Sequence, residues 1–436
     1  MPDLAAEPLL IGSLVDPGGV SRAKAVPASR RDAFATTGMG ASPSWNVFCA
    51  DDRLAFTARF SVVGDMRLRI DPTAIRDLGD GLSWGPVTVA ALDGTVAASC
   101  TRSTLTRAVD RLAAAGITAS VGHELEFVLF PRDDQPNRPE LPAVASPEWS
   151  AYGLGAIVDH AAFLQDVLAR GRTAGLDVQQ AHAEWAPRQF ELSLPARPPV
   201  EAADDLVLAR MIVSLAARKA GFAASFSPIP VAGGASSGAH VHLSLHTTAG
   251  PLFSGGTGPH GVTDAGAAAI AGVLAALPDI GAVLSGSPLS AERLKPGLWA
   301  GAHASWGLEN REAAVRFVEA TVGTPDGANI EVKPIDASAN PYLATALVLE
   351  GALIGIKTLT PLPAAVDVAS GSPGPASLLP TSTQDQVSRM EASAVARRAL
   401  GADLIEAIAA VRRMEHEVWD GKTVEERVER FRFTWG

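Results

Sequence analysis

Cysteine is nearly missing from this chain. Cys49 and Cys100 are the only two in 436 residues, which excludes a disulfide framework and points to a reducing compartment. Tyrosine is as scarce, with Tyr152 and Tyr342 alone. Charged residues make up 19% of the chain and the net charge is −11, with no Lys/Arg-dense tract to offset it. That balance argues against nucleic acid as the main partner. The first twenty residues lack the basic segment and apolar run of a signal peptide. No uninterrupted apolar stretch reaches the roughly 18 residues of a membrane helix. The Ala-rich run near 265–278 ends at Pro278 and reads as a core helix. These absences predict a cytoplasmic protein with no membrane segment.

What is present is apolar bulk, 47% of residues, enough for a large core and, by length, roughly two to three domains. Residues 1–100 read as β-rich. Leu9–Val15, Asn46–Cys49, Met66–Ile70 and Val87–Leu92 are short apolar runs between Gly, Pro and Asp punctuation. Thr101–Ala115 has helical spacing, with Thr101 or Ser103 as N-cap, and sets an expected boundary near residue 100. The remainder alternates strands with helices expected at Ala156–Ala174, Val200–Ala220, Asp264–Ala276, Pro341–Thr358 and Arg397–Phe431, the last as one helix or a pair. Residues 359–384 read as a Pro/Ser-rich loop.

Two short patterns carry chemistry. Glu124-Leu125-Glu126 and His240-Val241-His242 each place two metal-binding side chains on one face of a strand, because alternate strand residues share a face. Glu184, Glu191 and Glu331 lie in similar strand-like runs. If these strands are neighbours, five carboxylates and a histidine converge, a cluster that needs cations or protons to exist. A solvated strand face explains any one pattern alone, but the flanks (Phe127, Val128, Leu129, Phe130; Leu243, Leu245) are strongly apolar, and unpartnered buried acids are costly. Oxygen ligands with one imidazole suit Mg²⁺ or Mn²⁺ better than zinc.

Six blocks in order resemble the type I glutamine synthetase family. They are Asp16-Pro-Gly-Gly-Val-Ser-Arg22-Ala-Lys24, the Glu-x-Glu strand, Gln189-Phe-Glu191, Gly238-Ala-His240-Val-His242-Leu-Ser244-Leu, Asn310-Arg311-Glu-Ala-Ala-Val-Arg316 and Glu331-Val-Lys333-Pro-Ile-Asp336-Ala-Ser-Ala-Asn340-Pro-Tyr342. The resemblance implies an α+β fold: a β-grasp domain over residues 1–100 and a catalytic α/β domain over 101–436, built on a curved antiparallel sheet. It also implies a homo-oligomeric ring, hexamer or dodecamer, with ATP and Mg²⁺ or Mn²⁺ as cofactors. ATP would phosphorylate glutamate and an amine would then displace the phosphate. By position, Glu126, Glu184 and Glu191 would hold the metal nearer glutamate, and Glu124, His240 and Glu331 the metal on the ATP phosphates. Arg311 and Arg316 would handle the phosphates, bidentate work that suits the guanidinium fork. Arg293, Lys333, Ser236 and Gly238 would bind glutamate, and His242, Ser244 and Arg316 would lie near the nucleotide.

The departures bear on the amine. Ammonia-using members carry a flap glutamate six residues after the arginine matching Arg293; here that position is Trp299. An indole takes no proton but offers an apolar or π face to an alkyl ammonium, and Trp306 is expected to thicken the same wall. A packed flap residue is the plainer alternative. The segment supplying another ammonium ligand is absent, with Asp51 or Asp52 as loose substitutes. Ala235 replaces an asparagine, and Lys333 an arginine, keeping the charge but losing the fork. No tyrosine matches the adenylylation site. Glu309 and Glu312 are candidate carboxylates for a polyamine, or else solvated or paired with arginine. The pattern predicts an ATP-dependent ligase joining glutamate to a small primary amine, ethanolamine-like or another alkyl amine or polyamine. The alternatives are a true glutamine synthetase or a catalytically silent scaffold.

Overall fold

In a computed structural model of the chain, described over residues 7–132, 149–366 and 376–436, two sheets organise the molecule. The first contains β1 (Leu9–Val15), β2 (Ser21–Pro27), β3 (Met39–Ala41), β4 (Met66–Ile70), β5 (Arg76–Gly79) and β6 (Leu82–Ala90). Their order is β2-β1-β6-β4-β3 with β5 on β6, and only β1 and β6 run parallel. A short helix α1 (Arg31–Thr36) covers this β-grasp sheet, burying Phe34 against Leu68, Val87 and Val89. Alternation builds β4: Met66, Leu68 and Ile70 point inward while Arg67 and Arg69 stay half-exposed. The strand expected at Asn46–Cys49 does not form. Pro43–Asn46 make a 3₁₀ turn instead, capped by the Ser42 hydroxyl, which accepts from the Ser44 amide.

α2 (Thr101–Ala113) leads into the second sheet. Its N-cap is Cys100, not Thr101 or Ser103, and no side chain caps it. The sheet's spine is β7 (Thr118–Pro131), joined by β8 (Gln180–Ala183), β9 (Gln189–Ser193), β10 (Phe222–Ser225), β11 (Val241–Thr247), β12 (Gly250–Pro251), β13 (His303–Leu308), β14 (Ala313–Val318) and β15 (Asn329–Val332). The order is β13-β14-β15-β11-β7-β9-β8, with β10 on β7 and β12 on β11. The pairing is antiparallel except for β13 and β14, which run parallel, so the expected antiparallel sheet ends in one mixed edge.

The expected helix Ala156–Ala174 is two, α3 (Leu154–Asp159) and α4 (Ala161–Thr173), broken at His160. α8 (Pro341–Thr358) is apolar on nearly every side and buried, as an all-round apolar helix must be, and α5 (Pro199–Lys219) is buried along much of its length with Asp204, Asp205 and Arg210 among its buried residues. Between them in sequence lie α6 (Asp264–Leu284) and the one-turn α7 (Ser290–Arg293). α6 does not stop before Pro278 but continues through it to Leu284. An interior proline costs a helix about 3 kcal/mol, whereas each buried Leu, Ile or Val contributes about 1.5–3 kcal/mol. α6 buries Ile270, Val273, Leu274, Leu277, Ile280, Val283 and Leu284, so packing outweighs the break. Gly272 on α6 meets Gly351 and Gly355 on α8 so closely that a Cβ on Gly272 would lie 2.2 Å from the Gly351 carbonyl oxygen. With its full length, α6 is the one helix among the described residues long and apolar enough to cross a bilayer, yet 78% of its most apolar window is buried in the fold.

The chain ends in α9 (Thr383–Ala392), α10 (Ala394–Trp419) and α11 (Val424–Phe431). α9 begins inside the stretch expected to be loop. α10 is interrupted at Gly401 (φ 76°), and a Thr423–Glu426 capping box starts α11. Of the expected Pro/Ser-rich loop, residues 367–375 lie outside the described residues. Cys49 and Cys100 are buried and unpaired as disulfides.

Candidate functional site

Register places the acids. On β7, Leu125 and Phe127 point into the core, where Phe127 packs with Phe163, Phe190 and Phe226. Glu124 and Glu126 therefore point to the opposite face. Directly opposed residues share that face across neighbouring strands. Glu126 opposes Glu191 on β9, which opposes His182 on β8. On the other flank Arg316 opposes Glu331, which opposes His242. The backbone amide of Glu124 donates to the carbonyl of His240 at 3.1 Å, and that of Glu126 to the carbonyl of Gly238 at 3.2 Å. All five expected carboxylates and both histidines are thus brought to one surface.

They fall into two groups. In the first, His240 Nδ1 lies 2.7 Å from Glu124 Oε2 and 3.1 Å from Glu331 Oε1. His242 backs this group, with Nε2 at 3.2 Å from Glu124 Oε1 and Nδ1 at 2.9 Å from Asn329 Oδ1. In the second, His182 Nε2 lies 2.8 Å from Glu184 Oε1 and 3.8 Å from Glu191 Oε1. The resemblance assigns Glu126 to this second group, and Glu126 faces Glu191 across β7 and β9; its carboxylate accepts from Gln189 Nε2 at 3.0 Å and lies 3.9 Å from His240 Nε2, while His182 lies with Glu184 and Glu191. His182 was missed, although the His182-x-Glu184 alternation is the same signal that exposed Glu124-x-Glu126.

Like charges at this density perturb one another. Burial drives the Glu191 carboxyl up to about 10, reinforced by Glu124, Glu126, Glu184 and Glu331. Burial raises Glu126 too. Burial would also raise Glu124 and Glu331, but hydrogen bonds to His240, with His242 assisting, hold both well below the usual carboxylate range. The two imidazoles lose to burial yet gain more from those carboxylates, so both are shifted up. Arg293, Arg316 and Lys333 are permanent cations close to these five acids, and the remaining charge must be met by protons or bound cations.

The donors fit cations. Within each group, Glu124–His240–Glu331 and His182–Glu184–Glu191, one ligand atom from each residue lies within 4.8 Å of the others. Carboxylate oxygens with an imidazole suit Mg²⁺ or Mn²⁺. The protonation of Glu191 fixes a pH dependence. A carboxyl near 10 in the fold and 4.5 when unfolded makes the native state bind the extra proton, so stability falls as pH climbs from about 4.5 toward about 10. His240 and His242, also raised, act with the same sign. Chelator-treated protein is expected to lose roughly 5 °C of melting temperature between about pH 6 and about pH 9, and saturating Mg²⁺ should restore more at the upper end. A flat melting profile with no metal effect would contradict the assignment.

Beside the first group, Arg293 is 2% exposed and donates from Nη2 to the Lys333 carbonyl at 3.1 Å, with His240 Nε2 at 3.2 Å. Its Nε and Nη1 are buried with no protein partner among the described residues. Lys333 donates to Glu331 Oε1 at 3.0 Å. Gly238 has to be glycine: a Cβ there would lie 2.5 Å from His240 Nε2 and 2.8 Å from both Arg293 Nη2 and Glu126 Oε1. The Ser236 carbonyl accepts from Gln189 Nε2 at 2.8 Å, so Gln189 joins it to Glu126. Toward the other end, Arg316 binds Glu309 and reaches Glu331 Oε2 at 3.2 Å, and Ser244 donates to the Ala328 carbonyl at 3.2 Å. Arg311 is exposed and unpaired among the described residues.

Several expectations for the amine side change. Trp299 is 54% exposed, whereas Trp306 is 1% exposed on β13 and donates its indole N–H to the Pro363 carbonyl at 2.8 Å. It belongs to the core, because β13 is covered on that side, and builds no wall with Trp299. Glu309 is taken by Arg316, and Glu312 accepts from the Gly297 and Trp299 amides. Asp51 accepts from Trp419 Nε1, and Asp52 pairs with Arg22. Tyr152 stacks on His182 with ring centroids 6.2 Å apart, and its phenol is pushed up to about 12 by burial and Glu184.

Known proteins resemble this chain along most of its length. Residues 98–433 match the family described as glutamine synthetase, catalytic domain. Gamma-glutamylpolyamine synthetase GlnA3 of Streptomyces coelicolor is 38% identical over 410 residues, 91% of this chain and 87% of that protein. A solved structure titled a novel glutamine synthase homolog superposes with TM-score 0.89 at 26% identity, covering 100% of both chains. A GmaS/ADP complex gives 0.82 at 26%, covering 97% of this chain and 96% of that one. The chain belongs to the glutamine synthetase family.

Proposed function

We propose that this protein is an ATP-dependent ligase that joins the γ-carboxylate of glutamate to a primary amine by way of γ-glutamyl phosphate. The observation that carries the choice of amine is Trp299. The flap residue is an exposed indole, and Glu309 and Glu312, the carboxylates of the neighbouring loop, are both engaged within the chain. Nothing on the flap is left to take a proton from ammonium, whereas an indole face suits an alkyl ammonium. The name of the Streptomyces coelicolor relative and the GmaS fold neighbour support the same class.

Divalent cations at the two carboxylate groups would absorb the charge of phosphoryl transfer. The protein's own residues divide the remaining work. Arg293 would receive a substrate carboxylate on its unfilled Nε and Nη1, and Gly238 would keep the space above it open. Lys333 would hold Glu331 in place. Arg316 and Arg311 would steady the phosphates, and His242 and Ser244 would line the nucleotide side. Trp299 would shield the acyl phosphate from water and receive the amine.

The test is phosphate release from ATP with Mg²⁺ and glutamate against ammonium, ethanolamine, methylamine, putrescine, spermine and an aniline, with mass spectrometry of the product. One γ-glutamyl amide identifies the acceptor. Glutamine from ammonium alone would make the protein a glutamine synthetase proper, and silence with every amine would favour a scaffold. In the same assay Trp299→Glu is expected to shift selectivity toward ammonium by roughly tenfold, on the order of one charged hydrogen bond. Unchanged selectivity would count against the flap reading.

A further inference from the structure

The flap leaves the site and returns to it. It departs at Arg293, bonded to the Lys333 carbonyl, and ends at Gly301, where a Cβ would lie 3.2 Å from the Lys333 Cβ. Between them the backbone is left-handed at Gly297 (φ 81°) and Trp299 (φ 54°), and again at Gly301 (φ 72°). For a bulky side chain such a conformation persists only where the surroundings impose it. Packing holds the turn only in part: Leu298 and Trp299 are 48% and 54% exposed. Besides a long Leu298 N–H to Lys295 carbonyl bond at 3.4 Å, the turn is held by one carboxylate. Glu312 Oε1 accepts the Gly297 N–H at 2.8 Å, and Oε2 accepts the Trp299 N–H at 3.0 Å. Glu312 is itself seated by Asn310, whose Oδ1 accepts the amides of Glu312 at 2.9 Å and Ala313 at 3.2 Å. Arg311 lies between them in the chain.

We propose that Glu312 is a specificity-determining positioning residue. Its carboxylate ties the two flap amides to the Arg311 loop, sets the left-handed turn at Trp299, and so fixes the indole against which an incoming amine is selected. Charge-assisted bonds to backbone amides are the strong kind, and losing both frees the turn. The role rests on the reading of Trp299 given above. Glu312 touches no reacting atom.

The full-length enzyme is assayed with its best amine as wild type, Glu312→Gln, Glu312→Ala and Trp299→Ala. Glu312→Ala is expected to raise the amine KM about tenfold and Glu312→Gln, which keeps one acceptor oxygen, by less, with the KM for ATP and glutamate moving under about threefold. Amide hydrogen exchange across 297–299 should quicken at least about tenfold in Glu312→Ala. An unchanged amine KM together with unchanged exchange overturns the proposal. Faster exchange with an amine KM that neither Glu312→Ala nor Trp299→Ala alters keeps the tether but defeats the flap reading beneath it, and with it the specificity role. Should Glu312→Ala fail to fold, Glu312→Gln and the wild-type exchange rates decide. Trp299 exchanging as fast as an unstructured peptide refutes the tether.

Discussion

Glu124→Ala is expected to lower ATP turnover about a thousandfold, a loss equivalent to roughly 4 kcal/mol of transition-state stabilisation. Glu124 lies 2.7 Å from His240 Nδ1 and 3.2 Å from His242 Nε2, and burial by itself would keep such a carboxyl neutral. The histidine partners hold it ionised instead, the state a metal ligand needs. Removing it takes away one donor of three in its group and leaves two raised imidazoles facing the remaining acids. His240→Ala should do the same from the other side. A fall in apparent Mg²⁺ affinity, measured by calorimetry on the folded variant, separates a lost ligand from a collapsed site. Turnover within a few-fold of wild type would remove the metal assignment from Glu124, His240 and Glu331 together.

The second large effect is at Arg293. Arg293→Lys is expected to raise the KM for glutamate about a hundredfold while the KM for ATP moves little. The side chain is buried, Nη2 is committed to the Lys333 carbonyl, and Nε and Nη1 have no partner among the described residues. An unsatisfied buried donor costs about 1–3 kcal/mol, and two on one group survive most easily where a ligand completes them. Lysine keeps the charge and loses both free donors. If the arginine served packing alone, the melting temperature would fall while the glutamate KM held, and that outcome would sink the assignment.

Much of this site was readable in the sequence because strands advertise their faces. Glu124, Glu126, His240 and His242 declared a shared direction through alternation, and the apolar flanks implied burial. Helices such as Pro341–Thr358 were legible because proline at the first turn and an Asn340 cap mark the start. What stayed hidden depends on distant partners. That His182 joins Glu184 and Glu191 follows from the pairing of β8 with β9, and that Gln189 holds the Glu126 carboxylate is a contact across strands, neither of which has a local signal. Proline at 278 looked like a stop because the local cost is visible in sequence, whereas the compensating contact with α8 is supplied by residues more than fifty positions downstream. The burial of Trp306 and the grip of Glu312 on the flap amides are likewise tertiary facts with no local signature.

That same α6 sets a condition on how the protein is made. As it emerges during synthesis, the cell meets a long apolar helix whose partner α8 is still untranslated, and at roughly 5–20 residues per second the wait lasts several seconds. A nascent segment of this kind invites membrane-targeting machinery and self-association alike. In the finished fold α8 sits so close that neither Gly272 nor Gly355 has room for a Cβ. Production of this enzyme is therefore expected to depend on holdase chaperones more than its apolar core would imply, and truncations ending before α8 should accumulate as aggregates.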